Sequence, residues 1–286
     1  MSVGSGYWIR FIASIVLTTF AALIVFILLY PVFYAVLSSL VRGQILVTDP
    51  TQIMRSGLSL EHYVKAISDP RFVSATGLSL LVALTNIMFA LLVITPAAYA
   101  FSRFKFTGRD AMLVAYLVLN QVGGGFGVAS VIALYVMLLK LNQIGIPVIG
   151  NPVVLAAIYT AGAVPFQTWM VKNYLDALPR EIDESAFIDG ASWRQIIFDV
   201  VLPASKPTMV VIALFAFMGA WGEFIIANFL RVETLAAYVY ETATGQTIFW
   251  SDFAARTILF ALPIIVIYVF TQRYIGEAMR YGAGKA

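Results

Sequence analysis

The chain has no cysteine and one histidine, His62, in 286 residues. Disulfides and thiolate metal sites are therefore excluded, and a site built from several histidines cannot form. Charge is also scarce. Asp, Glu, Lys and Arg make up 12% of the sequence, about half the share usual in a soluble domain. The net charge of +3 is too small to indicate a nucleic-acid surface. What is abundant is apolar character, at 61%. This composition points to an integral membrane protein, in which the placement of charge matters more than its sum.

A helix needs about 20 apolar residues to cross the hydrocarbon core. Uncharged runs lie at Phe11–Val41, Phe72–Ser102, Ala111–Leu139, Leu141–Val171 and Thr257–Gln272, and Pro207–Leu230 is interrupted only by Glu223. Thr257–Gln272 is short but extends backwards through Phe253. The first run is far longer than a signal-peptide core and reads as a retained span. Six spans put both termini on one side. Arg103, Lys105, Arg109, Lys172, Arg180, Arg194, Lys206 and Arg273 then share the side of the termini, which favours a cytoplasmic placement. Tyr7, Trp8, Tyr99, Trp169, Tyr268 and Tyr274 suit interfacial anchoring near span ends. The fold class is all-α, with six transmembrane helices in one membrane domain, residues 1–286.

Between the fourth and fifth spans lies a polar island, residues 176–205. Pro179 suits a first helical position, and Glu181, Asp183 and Glu184 suit the positive end of the helix that follows. Asp189-Gly190 breaks that helix. Ser192 and Gln195 have capping-box spacing and start a second one near Trp193, with Ile196, Ile197, Val200 and Val201 set against Arg194, Gln195 and Asp199. Pro203 ends it, and Pro207 helps start the next span. Two short helices around one glycine make a knob. Physically this knob is either an amphipathic loop on the membrane surface or a docking element.

Glu184-Ser185-Ala186, three residues, Gly190, then Val200-Val201-Leu202-Pro203 resembles the EAA loop of ABC-importer permeases. Ser replaces the middle residue and Val replaces Ile. Asp189-Gly190-Ala191-Ser192 is similar to the DGAS run of carbohydrate-importer permeases. Leu60-Glu61-His62-Tyr63, Ala97–Phe104 with Gly108-Arg109, Trp221-Gly222-Glu223-Phe224, Gln272-Arg273-Tyr274 and the tail Tyr281–Lys285 extend the resemblance. It departs at Gly222, where Asn is usual, and at Gly123–Gly127, where a proline-containing element is usual. The resemblance is to the second, maltose/trehalose-type permease of a carbohydrate importer.

It implies a type I importer (MetI-like) fold in a prokaryotic cell membrane. It also implies a second homologous permease, an ATPase pair that binds the ATP and magnesium this chain does not, and an extracytoplasmic sugar-binding protein. Glu184, Ser185, Ala186, Asp189, Gly190, Ala191, Leu202 and Pro203 would couple to the ATPase.

Glu223 is the sole carboxylate within an apolar span, and such a charge faces a cavity or a partner. With Trp221, Phe224 and Asn86 it is a candidate for the substrate path; the alternative is a pairing with a partner helix. Asn86, Asn120 and Gln121 also suit hydrogen bonding between helices. Gly123–Gly127 lacks the Lys-Ser/Thr of a phosphate loop. His62 reads as a solvated loop residue. An intramembrane enzyme would need paired catalytic groups, and no such pair is present in the sequence; no metal site or catalytic residue is expected. A permease for a non-sugar solute remains an alternative.

Overall fold

The computed structural model describes residues 3–44, 49–125, 127–245 and 248–283. Asn120, Gln121 and the Gly123–Gly127 run fall where side chains are not described, as do Tyr7, Trp8 and the 281–285 tail. The regular structure among the described residues is helical, with turns between helices and one isolated bridge between Val41 and Leu58. In chain order the helices are α1 (Val3–Leu40), α2 (Pro50–Ser56), α3 (Glu61–Ser68), α4 (Pro70–Arg103), α5 (Arg109–Gly125), α6 (Gly127–Gln143), α7 (Pro152–Ala177) and α8 (Glu181–Ile188). There follow α9 (Trp193–Gln195), a π-helical stretch at Ile196–Val201 and α10 (Leu202–Ala204). The remaining helices are α11 (Lys206–Gly222), α12 (Ile225–Phe229), α13 (Leu235–Thr244) and α14 (Trp250–Ala283).

Four of these are long and apolar enough to cross a membrane: α1 from Phe11, α4, α7 and α14 to Gly276. A fifth arises if Trp193–Ala204 and Lys206–Gly222, bent by 88°, count as one broken span. The expected third span, Ala111–Leu139, falls on α5 and α6, with Phe126 between them outside the described residues.

Two expected spans need correction. The run from Leu141 to Val171 is not one helix. Gly145 and Gly150 take positive φ, and α7 begins only at Pro152, capped by the Asn151 side chain on the Val153 and Val154 amides. The run Pro207–Leu230 breaks after Gly222, so Glu223 stands in a helix gap with extended backbone.

The chain divides into two compact units, Met1–Asp69 with Thr242–Ala261, and Pro70–Glu241 with Leu262–Ala286. In the first, His62 is not a solvated loop residue; it is 3% exposed. Its Nδ1 lies 2.6 Å from Asp252 Oδ1 and its Nε2 lies 2.9 Å from the Val41 carbonyl. Lys65 pairs with the other oxygen of Asp252. A buried carboxylate is retained only where it is paired in this way. The segment around α3 is thus fastened to the start of α14.

The second unit is built on α4, α7 and α11. The α4 face that meets its neighbours carries Ala75, Ser79, Ala83, Asn86, Ala90, Ile94 and Ala98, a helical stripe of mostly small side chains. Small residues let helix backbones approach where lipid offers no hydrophobic drive for association. Asn86 adds a polar tie, donating to the Ala216 carbonyl at 2.8 Å and accepting from Thr160 Oγ1 at 2.7 Å. Interhelical bonds of this kind contribute about 0.6–1.7 kcal/mol in membranes. Asn86→Ala is expected to lower unfolding stability in micelles by about that amount, read from a denaturation midpoint. An unchanged midpoint would remove the tie.

Candidate functional site

The polar island folds into the knob, and its motif spacing has a local explanation. Helix α8 ends at Ile188 with Asp189 as its C-cap, and Gly190 adopts φ +84°. The Gly190 amide donates to the Phe187 carbonyl at 3.1 Å and the Ala191 amide to the Ala186 carbonyl at 3.0 Å. This double closure is a Schellman motif, which needs a left-handed residue four positions after the residue whose carbonyl takes the outer bond. Ala186 and Gly190 stand in that relation.

The second helix starts as its sequence dictates. Ser192 Oγ accepts from the Gln195 amide, while Gln195 Oε1 accepts from the Ser192 amide at 2.8 Å, completing the capping box.

Pro179 and Pro203 depart from expectation. Pro179 stands two residues before α8 rather than at its first position, and the extended backbone of Leu178 ahead of it stops α7. A residue before proline is pushed out of the helical region. Pro203 does not end its helix; it sits inside α10. A proline ring collides with the carbonyl four residues back. The π-helical register that precedes it, where the Leu202 amide donates to the Ile197 carbonyl five residues back, relieves that collision. The helix stops at Ser205 and turns by 88° into α11, which carries Pro207 in its first turn.

The knob is two-faced. Ile196 and Val201 are buried, and Ala186, Ala191, Ile197 and Leu202 pack on a core of Ala90, Ile94, Ala98, Tyr99, Val171, Leu175 and Ile212. Each fully buried aliphatic side chain contributes roughly 1.5–3 kcal/mol, so this face holds the knob to the helices above it. The opposite face exposes Glu184, Ser185, Asp189 and Pro203 with three large apolar groups: Phe187, Trp193 and Ile188, the last 84% exposed. Exposed apolar side chains clustered on a small polar element mark a surface made for a partner.

The four candidates for the substrate path do not share one fate. Trp221 has no exposed surface and stacks on Phe217 at 5.2 Å, so its indole is packing within this chain. Asn86 is buried and occupied by its helix contacts. Glu223 and Phe224 keep part of their surface. The Glu223 carboxylate accepts from Tyr159 Oη at 2.5 Å, from the Ile226 amide at 2.8 Å and from the Ala227 amide at 3.2 Å. It therefore bridges α7 to the start of α12 and stabilises the break it occupies. Phe224 stacks on the exposed ring of Tyr240 at 4.3 Å. A cleft of about 190 Å³ beside the break is lined by Asn86, Tyr159, Gly162, Phe215, Gly219 and Ile226.

Sequence reading missed Tyr159 as the partner of Glu223 and Asp183 as the half-buried ionic partner of Arg103. Each pair is far apart along the chain, and the available signal was slight: a hydroxyl in an apolar helix, and an acid that served equally well as a dipole partner. Among the described residues no group of His, Asp or Glu could hold a metal ion.

Over its whole length the chain is similar to known transport proteins. It is 30% identical to the maltodextrin transport system permease protein MdxG of Bacillus subtilis, over 96% of this chain and 98% of that one. It is 29% identical to the galactooligosaccharides transport system permease protein GanQ of the same organism, over 97% and 96%. Among solved structures, a chain of a bacterial ABC transporter involved in alginate import matches with a TM-score of 0.74 at 18% identity, covering 96% of this chain and 99% of that chain. A chain of the MetNI methionine ABC transporter matches with 0.52 at 20% identity, covering 72% and 95%. These two show the fold, an all-α ABC-importer permease fold. Residues 5–281 match the family model described as binding-protein-dependent transport system inner membrane component, and the chain belongs to that family.

Proposed function

We propose that this chain, acting throughout as a single permease domain, forms half of the translocation pathway of an ATP-driven importer of di- or oligosaccharides. Family membership makes it a transport component of the inner membrane rather than an enzyme. The observation that carries the coupling role is the knob, with apolar side chains exposed on both sides of a left-handed Gly190 and its second part, Trp193–Ala204, set at 88° to α11. A rigid right-angle joint converts displacement of the knob into rotation of a span.

The Lys and Arg distribution supports a cytoplasmic knob and cytoplasmic termini. There the knob would meet an ATPase pair, with Glu184 offering an ionic contact and Phe187, Ile188 and Trp193 the apolar one. A second, homologous permease would complete the pathway, and an external sugar-binding protein would deliver substrate. The names of the relatives, maltodextrin and galactooligosaccharide permeases, support an oligosaccharide. The path runs past the α11–α12 break, where Glu223 shapes the passage and the Phe224–Tyr240 pair offers a ring face to a sugar.

The test is uptake into proteoliposomes holding this chain, its partner permease and the ATPase, supplied with the binding protein. Labelled maltotriose and galactotriose are compared with methionine. Uptake of a trisaccharide that needs ATP is expected. Uptake of methionine alone would overturn the sugar assignment, and uptake undiminished when the ATPase is omitted would overturn the coupling role.

A further inference from the structure

The end of α4 with the residue after it, Ala97–Phe104, is prominent in the sequence but has no part in the function described so far. Its geometry gives it one. Arg103, 8% exposed, directs three nitrogens at two other elements. Its Nε lies 2.5 Å from Asp183 Oδ2 in the first turn of α8. Its Nη1 donates to the Leu175 carbonyl at 3.0 Å and its Nη2 to the Leu178 carbonyl at 3.4 Å, both at the end of α7. Helix ends leave carbonyls without partners, and a cation there is favoured by the dipole. The guanidinium fork is the side chain able to satisfy carbonyls and a carboxylate together; a lysine ammonium is a single point.

A second linkage runs beside the first. Tyr99 on α4 meets Phe104 edge-on at 6.1 Å, Phe104 meets Trp193 of α9 at 5.3 Å, and Trp193 meets Phe187 of α8 at 5.6 Å. The end of α4 is thus held to both halves of the knob, ionically to α8 and by aromatic contact to α9. Ser102 adds a bond to Asp176 of α7 at 2.7 Å.

We infer that Arg103 is a positioning residue for transport: it is the joint through which the knob drives α4 and α7, so the stroke reaches these helices as well as α11. This rests on the coupling role proposed above. Asp183 is its counterpart on the moving side, and the small exposure of both side chains, 8% and 13%, keeps the link from being screened by water.

The test uses the complete transporter in proteoliposomes with maltotriose as probe, measuring ATP hydrolysed per sugar taken up. Arg103→Gln is expected to leave the complex assembled and hydrolysing while that ratio rises about tenfold or more, because the little-exposed ion pair to Asp183 and the bonds to the two carbonyls are lost together. Asp183→Asn is expected to raise it similarly, and Arg103→Lys to fall between wild type and Arg103→Gln. A role confined to folding would lower uptake and hydrolysis together and leave the ratio fixed; that result, or a wild-type ratio in both variants, overturns the inference. Gly190→Leu run in parallel separates the two levels. If it uncouples while Arg103→Gln does not, the joint fails and the knob stands; if neither uncouples, the coupling role fails as well.

Discussion

Gly190→Leu is expected to yield a permease that inserts and assembles, while ATP hydrolysis continues and sugar uptake falls by more than tenfold. The argument is one of backbone rather than space. A Cβ added at Gly190 would meet nothing within 4 Å, so no collision at that atom disfavours a substitution. The φ of +84° does. An L-residue in that region costs about 1–2 kcal/mol, except that Asn tolerates it better. The cheapest relief is to swing α8 against α9, which opens the bonds from Gly190 to Phe187 and from Ala191 to Ala186. Ile196 and Val201 lie beyond the bend and stay buried, so the expected damage is to the placement of α8, whose exposed Glu184, Phe187 and Ile188 the proposed coupling role sets against the ATPase. The order of activity should follow backbone tolerance: Gly, then Asn, then Ala, with Leu and Val last. Uptake and hydrolysis measured together on that series check the claim. An order that follows side-chain size, with Asn as poor as Leu, would place the effect in the contact surface instead of the bend.

Several parts of this site were legible because their causes are local. Ser192 and Gln195 stand at capping distance, Gly190 follows an acid-rich first turn, and Pro207 opens a helix; each needs only its near neighbours. Where the reading failed, the cause was either non-local or hidden by hydropathy. Leu141–Val171 looked like one span because it lacks charge, yet Gly145, Pro147, Gly150 and the Asn151-Pro152 cap carry turn chemistry that overrides apolarity. Pro203 looked like a terminator because no sequence signal announces a π-helical register. His62 looked solvated because Asp252, its partner 190 residues on, is invisible without the fold. Arg103 was noticed as part of a turn, but its role appears only when α7 and α8 are seen to converge on it.

The same distinction bears on Glu223, the second large effect. In the sequence it is a costly charge inside a span; in the structure it occupies a break that it helps to hold. Helix α11, from Lys206 to Gly222, is about 26 Å long at 1.5 Å per residue, short of the roughly 30 Å hydrocarbon core. Backbone that leaves a helix at this depth needs its polar groups satisfied by protein. The carboxylate does this for the Ile226 and Ala227 amides and takes the Tyr159 hydroxyl as well. Glu223→Gln keeps one acceptor oxygen but turns an NH2 group toward donors, so one or more of the three bonds must fail. Each bond to a charged acceptor contributes about 1.5–3 kcal/mol. Uptake is therefore expected to fall at least about tenfold, by a similar factor for maltotriose and galactotriose, because the shape of the passage changes rather than a contact to one hydroxyl. Tyr159→Phe removes one donor, leaves both amide bonds, and should cost less. Phe224→Ala should instead change KM, and unequally for the two sugars, since a stacking face is lost. If Glu223→Gln alters the preference between the sugars while Tyr159→Phe is silent, the carboxylate touches substrate directly; if Glu223→Gln transports both at the wild-type rate, neither its cap nor its charge serves the passage.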